Sequence, residues 1–167
     1  MSSSKTKIKN KSAIELCLRS IAYQIYENNE EEKELIIVGI GKNGKLLAEK
    51  IYKILKSISN IKLIFVELII NKKNPTDKIK SSIKKENLKN KSIIIIDDVL
   101  NTGSTLIYAA KYFLQIPVKK IQTAVIINRN HKKFPIKADF KGLSLSTSIK
   151  EHVNVVLEGV NQGVFLS

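Results

Sequence analysis

Ser92-Ile93-Ile94-Ile95-Ile96-Asp97-Asp98-Val99-Leu100-Asn101-Thr102-Gly103-Ser104-Thr105 decides how the rest of the chain is read. Four consecutive isoleucines predict a strand buried on both faces, the pattern of a parallel sheet. The small polar run that follows leads into apolar residues at helical spacing, which predicts a helix over 104–115. A helix start carries unpaired N–H groups and a positive dipole end, so a Gly, Ser and Thr loop placed there suits an anion, phosphate above all. Asp97 and Asp98 would repel that phosphate. They must face something else, such as sugar hydroxyls or a metal, and the stretch as a whole describes a site for a phosphorylated sugar.

Working outward, the apolar residues 35–38 predict a central strand, Leu47, Ile51 and Leu55 a helix, and residues 61–70 a further strand. This is the alternation of an α/β fold with a parallel sheet. Upstream, Ser12-Ala13-Ile14-Glu15 has the form of a capping box before Ile14, Leu18, Ile21 and Ile25, so a first helix is expected to run to about Asn28. Residues 1–11 read as a disordered basic tail and 12–167 as a single domain. Residues 71–91 are polar and lysine-rich without a clear period, which predicts a flexible lid over a site or a plain disordered excursion. Beyond the opening stretch come a strand over 121–128, a basic loop over 129–137, and short alternating segments to the C-terminus.

The chain has 167 residues, enough to bury a core without disulfides. Its one cysteine, Cys17, lies among helix-spaced apolar residues and reads as packing, which suits a reducing cytoplasm. No apolar run approaches the ~20 residues of a membrane span, and no signal-peptide pattern is present, so a cytoplasmic protein with no membrane partner is expected. The formal charge of +14 permits nucleic-acid binding. Arg19 and Arg129 are the only arginines among the 29 basic residues, however, and Ile and Asn are also frequent, so a compositional preference for lysine accounts for the charge equally well.

A second glycine-rich stretch, Gly39-Ile40-Gly41-Lys42-Asn43-Gly44-Lys45, follows the first central strand and opens a helix. Read as GxGxxG it fits a dinucleotide fingerprint, with Glu67 the nearest acidic residue to hold a ribose. Read as GxxxxGK it approaches a P-loop and a nucleotide hydrolase, but Leu46 stands where Ser or Thr is required. It also reads as no more than a tight strand-to-helix turn.

Taken together, the two stretches resemble the type I phosphoribosyltransferases. Asp97-Asp98-Val99-Leu100-Asn101-Thr102-Gly103-Ser104-Thr105 follows their signature position for position. The segments from Val125 to Gly142, Ser146-Thr147-Ser148 and Glu151-His152-Val153 narrow the likeness to the pyrimidine operon attenuators, RNA-binding regulators with uracil phosphoribosyltransferase activity. The resemblance implies a type I phosphoribosyltransferase fold, a parallel sheet flanked by helices with a small hood, and a homo-oligomer, expected as a dimer. It implies transfer of phosphoribose from phosphoribosyl diphosphate (PRPP) to uracil, giving UMP and pyrophosphate, with Mg²⁺ carried by PRPP, and mRNA as a further partner.

Carried over residue by residue, the resemblance makes Asp97, Asp98 and Lys42 the catalytic group. Gly41, Lys42, Asn43 and Gly44 would meet the pyrophosphate, Asp97 and Asp98 the ribose hydroxyls, and Asn101, Thr102, Gly103, Ser104 and Thr105 the 5-phosphate end. Phe140 and the backbone of Lys141 would hold the base, and Arg19, His131, Lys132 and Lys137 would contact RNA. Several positions depart from the family pattern. Asn101 replaces the aspartate that serves as general base in purine-salvage relatives, and an amide cannot take a proton, which argues against hypoxanthine or guanine. The first loop lacks the family's arginine, Ser104 stands for another arginine, and Leu143 for a lysine of the RNA face. Asn128-Arg129 stands for Asp-Arg, and Asn71-Lys72-Lys73-Asn74 for the lid's Tyr-Arg-Asp-Asp. A regulator that binds nucleotide and RNA with weak or absent catalysis is the reading these losses favour.

Overall fold

The computed structural model describes residues 5–129, 131–146, 148 and 151–167. A six-stranded sheet is built from β2 (Glu34–Ile40), β3 (Lys62–Ile69), β4 (Lys80–Ser81), β5 (Ser92–Leu100), β6 (Lys120–Arg129) and β7 (Phe140–Leu145), in the order β4-β3-β2-β5-β6-β7. Every pairing is parallel except that of the edge strand β4 with β3. β5 lies at the centre, with Ile94 opposite Ile37 on one side and Gln122 on the other.

Alternation along β5 divides its isoleucines between two cores. Ile94 and Ile96 pack with α1 (Lys11–Asn29) and α2 (Gly41–Ile58), while Ile93 and Ile95 pack with α3 (Ser104–Phe113). All four are at most 1 % exposed, and each such burial contributes roughly 1.5–3 kcal/mol relative to an exposed side chain. The helical spacing expected from the sequence is realised by Ile14, Leu18, Ile21 and Ile25 on α1, and by Leu47, Ile51 and Leu55 on α2.

The N-terminal segment differs from the disordered tail expected for residues 1–11. β1 (Thr6–Asn10) pairs antiparallel with β9 (Gly163–Leu166), which pairs in turn with β8 (Val153–Val156). The partner of β1 lies at the other end of the chain, and Ile8 packs against the core, so pairing orders a segment whose composition alone reads as solvated. Met1 to Ser4 of that expected tail lie outside the described residues. The helix cap also differs: Asn10 Oδ1 accepts the Ala13 N–H at 2.9 Å, two residues before Ser12 of the expected Ser12–Glu15 box.

Residues 71–91 separate into two parts. The 71–79 loop is irregular, whereas β4 and a 3-10 turn at Lys85–Leu88 return to the body, anchored by fully buried Leu88. No helix among the described residues is long and apolar enough to cross a membrane.

Candidate active site

β5 continues past its isoleucines, so the two aspartates stand together at its C-terminal end, Asp97 against the turn into α3 and Asp98 beside Asn43 of α2. Asp97 is 1 % exposed. Its Oδ1 accepts the Asp98 N–H at 2.9 Å and the Lys72 ammonium at 2.8 Å, and Lys72 also lies 3.6 Å from Asp98 Oδ1. Burial pushes the Asp97 carboxyl up to about 7, a rise that Lys72 opposes and the neighbouring Asp98 charge reinforces. Burial acts the same way on Asp98, but Lys72, the Asn43 amide, Asp97 and the Val99 N–H outweigh it and hold that carboxyl below its usual range. The pair is therefore divided into one readily protonated and one firmly ionised member. Lys72 is held above its ordinary range because the two carboxylates outweigh its own burial.

Beyond the aspartates, the chain turns through Asn101-Thr102-Gly103 into α3, which has no side-chain cap. A cavity of about 60 Å³, room for a phosphate group, lies against Asp97 and the run from Val99 to Leu106. Gly103 has φ +86°, and a Cβ there would also stand 2.7 Å from Ile136 Cγ2. The Thr102 carbonyl accepts the N–H groups of Lys133 and Phe134 at 2.8 and 3.1 Å, so the segment after β6 braces this turn.

The first glycine stretch is built differently. β2 ends at Ile40 and α2 begins at Gly41, leaving no intervening loop. A Cβ on Gly44 would lie 2.7 Å from the Ile96 carbonyl, and one on Gly39 2.6 Å from Lys45 Cα, so these glycines let helix and sheet touch. Asn43 donates to Asp98 Oδ2 at 2.7 Å and to the Val155 carbonyl at 3.1 Å, joining the aspartates to the small sheet above them. Lys42 pairs at 3.1 Å with Glu158, and both are well exposed. Lys45, where a P-loop lysine would stand, bonds Glu67 at 3.0 Å. One contact thereby occupies the key residues of both the P-loop and the dinucleotide readings.

Asn101 is exposed and faces a cavity of about 380 Å³ that it shares with Thr102, Arg129, His131, Lys132 and His152. Arg129 is 4 % exposed and donates to the Ser148 carbonyl at 3.1 Å. Phe140 is not at this cavity. It is 3 % exposed, stands opposite Ala124 of β6 and belongs to the core under α1, so its ring is consumed by packing; Lys141 beside it stands opposite Val125. The basic residues expected to bind RNA come from several segments of the chain. His131 and Lys132 line the Asn101 cavity, Arg19 is exposed on α1, and Lys137 pairs at 3.7 Å with Asp139 on the α3 side of the sheet.

Lys72, Arg129 and His152 were not singled out as site residues from the sequence. Each lies in a segment compared with a family motif, and that correspondence was the only available signal.

The profile of the family described as "Phosphoribosyl transferase domain" matches residues 4–159. This chain belongs to that family. Among relatives, a protein named "Bifunctional protein PyrR" from Pediococcus pentosaceus is 33 % identical over 159 residues, covering 89 % of this chain and 90 % of its own. One of the same name from Fusobacterium nucleatum subsp. nucleatum is 36 % identical over 146 residues, covering 83 % and 82 %. A solved hypoxanthine phosphoribosyltransferase from Trypanosoma cruzi, in complex with the product IMP, superposes with a TM-score of 0.74 at 12 % identity, covering 88 % of this chain and 82 % of that one. That last likeness establishes a common phosphoribosyltransferase fold and nothing finer. The type I phosphoribosyltransferase fold expected from the sequence is therefore the fold of the chain.

Proposed function

We propose that the protein transfers phosphoribose from PRPP to uracil, releasing pyrophosphate and forming UMP, and that it also serves as an RNA-binding regulator of pyrimidine metabolism. The observation that carries the catalytic part is the continuity of β5, turn and α3. It sets two carboxylates and a phosphate-sized cavity side by side, the spacing a ribose 5-phosphate needs. Asp97 and Asp98 accept the ribose hydroxyls. The backbone N–H groups and hydroxyls from Thr102 to Thr105 hold the phosphate at the start of α3.

Among the described residues no three acidic, histidine or cysteine side chains cluster as a metal cage. Two adjacent carboxylates fit a cation that arrives with its own oxygen ligands, the usual habit of Mg²⁺, in place of the Lys72 ammonium they hold here. Asp97 and Asp98 would lie beside such an ion, which supplies charge neutralisation for the departing diphosphate. The chain's own part is to orient C1 of the sugar toward the base and to exclude water from the oxocarbenium-like centre. The base reaches that centre through the Asn101 cavity, where an amide hydrogen-bonds a pyrimidine edge but takes no proton.

Release of pyrophosphate from Mg²⁺-PRPP with uracil, hypoxanthine, guanine or xanthine tests the reading. Uracil-dependent release supports it, and turnover with a purine alone sinks the choice of base. The second reading, a regulator with little catalysis, is favoured by the turn of Lys42 toward Glu158. Binding of PRPP and UMP without uracil-dependent release would select it.

A further inference from the structure

A cavity of about 470 Å³ lies outside this site, between the 71–79 loop and α3. Its volume falls in the range of small-molecule pockets. Tyr108 and Tyr112, one helical turn apart, present their rings to it. Phe134 braces the first ring edge-on at 6.4 Å, and Phe113 the second at 5.3 Å. Lysines stand at both, Lys111 at 5.9 Å from the Tyr108 centroid and Lys85 at 4.6 Å from that of Tyr112. Lys78 adds a third cation to the wall, against one carboxylate, Asp77. The oxygens of Asp77 accept the side-chain amides of Asn71 and Asn74 and so are already engaged. Aromatic rings bordered by surplus positive charge match a planar heteroaromatic group that carries phosphate.

The loop that walls this cavity also carries Lys72. Asn71 Oδ1 accepts the N–H groups of Lys73 and Asn74 at 3.1 and 3.3 Å, and Asn71 Nδ2 donates to Asp77 at 2.7 Å, so residues 71–77 brace one another. One end of that braced unit seats Lys72 on Asp97 and Asp98, and the other forms the cavity wall.

We propose that the cavity is an effector site for a nucleotide, and that its occupancy holds Lys72 on the aspartate pair. A loop that lifts from α3 dismantles the wall, so a bound nucleotide favours the seated arrangement. The coupling rests on the reading that Asp97 and Asp98 receive the ribose of PRPP, because the sugar and Lys72 then need the same oxygens. Nucleotide and PRPP oppose each other, and by linkage each weakens the other to the same degree.

Calorimetric titration of the full chain with AMP, GMP, CMP and UMP, alone and with Mg²⁺-PRPP, tests both parts. With at least one of the four, Lys111→Glu is expected to weaken nucleotide binding about tenfold and to leave PRPP binding unchanged. In the wild type that nucleotide raises the Kd for PRPP. In Lys72→Ala it still binds, but its effect on PRPP is lost. Nucleotide binding indifferent to Lys111→Glu, or absent altogether, overturns the site. Equal antagonism in wild type and Lys72→Ala overturns the coupling, since it marks direct competition at the phosphate turn. Failure of the wild type to bind PRPP overturns the catalytic reading and the coupling together, while a Lys111-dependent nucleotide would still support the cavity.

Discussion

The two strand-to-helix junctions, β2 into α2 and β5 into α3, carry nearly the same sequence signal and use it in opposite ways. At the first, Gly39 and Gly44 remove side chains so that α2 can press on β5, and no loop remains. At the second, Gly103 adopts a left-handed conformation that opens a turn, and the turn holds a phosphate-sized cavity beside Asp97. Glycine permits close approach at Gly39 and Gly44 and a left-handed backbone at Gly41 and Gly103, and the letters alone do not distinguish the two uses. The proposed chemistry falls at the open junction, and the closed one touches it through the bond from Asn43 to Asp98.

The largest effect that sharpens this contrast is expected at the open junction. Asp97→Asn combined with Asp98→Asn should lower kcat/KM for uracil-dependent pyrophosphate release by roughly 10²-fold or more, because the sugar loses its orientation. At the closed junction, Gly44→Ala places a methyl 2.7 Å from the Ile96 carbonyl. Chemical denaturation should show a loss of about 1–3 kcal/mol, the usual effect of overpacking. Gly103→Ala adds about 1–2 kcal/mol of left-handed backbone strain to a 2.7 Å approach to Ile136 Cγ2, so its loss of stability should be comparable, and it should also weaken binding of ribose 5-phosphate, which Gly44→Ala need not do.

A pH effect comes next. With its carboxyl raised from 3.8 to about 7, Asp97 keeps a proton in the folded protein that the unfolded chain has already released. Its contribution to stability therefore declines as pH rises from about 4 to about 7 and is flat above. Melting curves across that window should slope downward in the wild type relative to Asp97→Asn. Asp98, held low, acts in the opposite direction only below about pH 4. Smallest of all, Lys42→Ala should change stability by less than about 1 kcal/mol, since its bond to Glu158 is exposed. A large loss of activity in that variant would place Lys42 in the catalytic group and blur the contrast between the junctions.

Much of the fold was legible because its signals are local. The isoleucine run marks β5 from Ser92 to Leu100, and the polar turn marks the start of α3 at Ser104. The acidic pair and phosphate turn were legible for the same reason, since neighbouring residues build them. What escaped depends on partners distant in sequence. β1 takes shape only against β9, and nothing within residues 6–10 announces that pairing. Phe140 offers an aromatic ring that suits a base as well as a core, and its place in the cluster beneath α1 comes only from the packing of α1 against β7. Lys72 is one lysine among many until the 71–79 loop folds back and sets it 2.8 Å from Asp97.

Calorimetric titration of Mg²⁺-PRPP into the wild type and Asp97→Asn, each shown to be folded by its melting curve, tests most directly whether the end of β5 is the sugar-phosphate site. Saturable binding in the wild type that weakens at least tenfold in the variant is the predicted result. Equal affinity in the two proteins would contradict it.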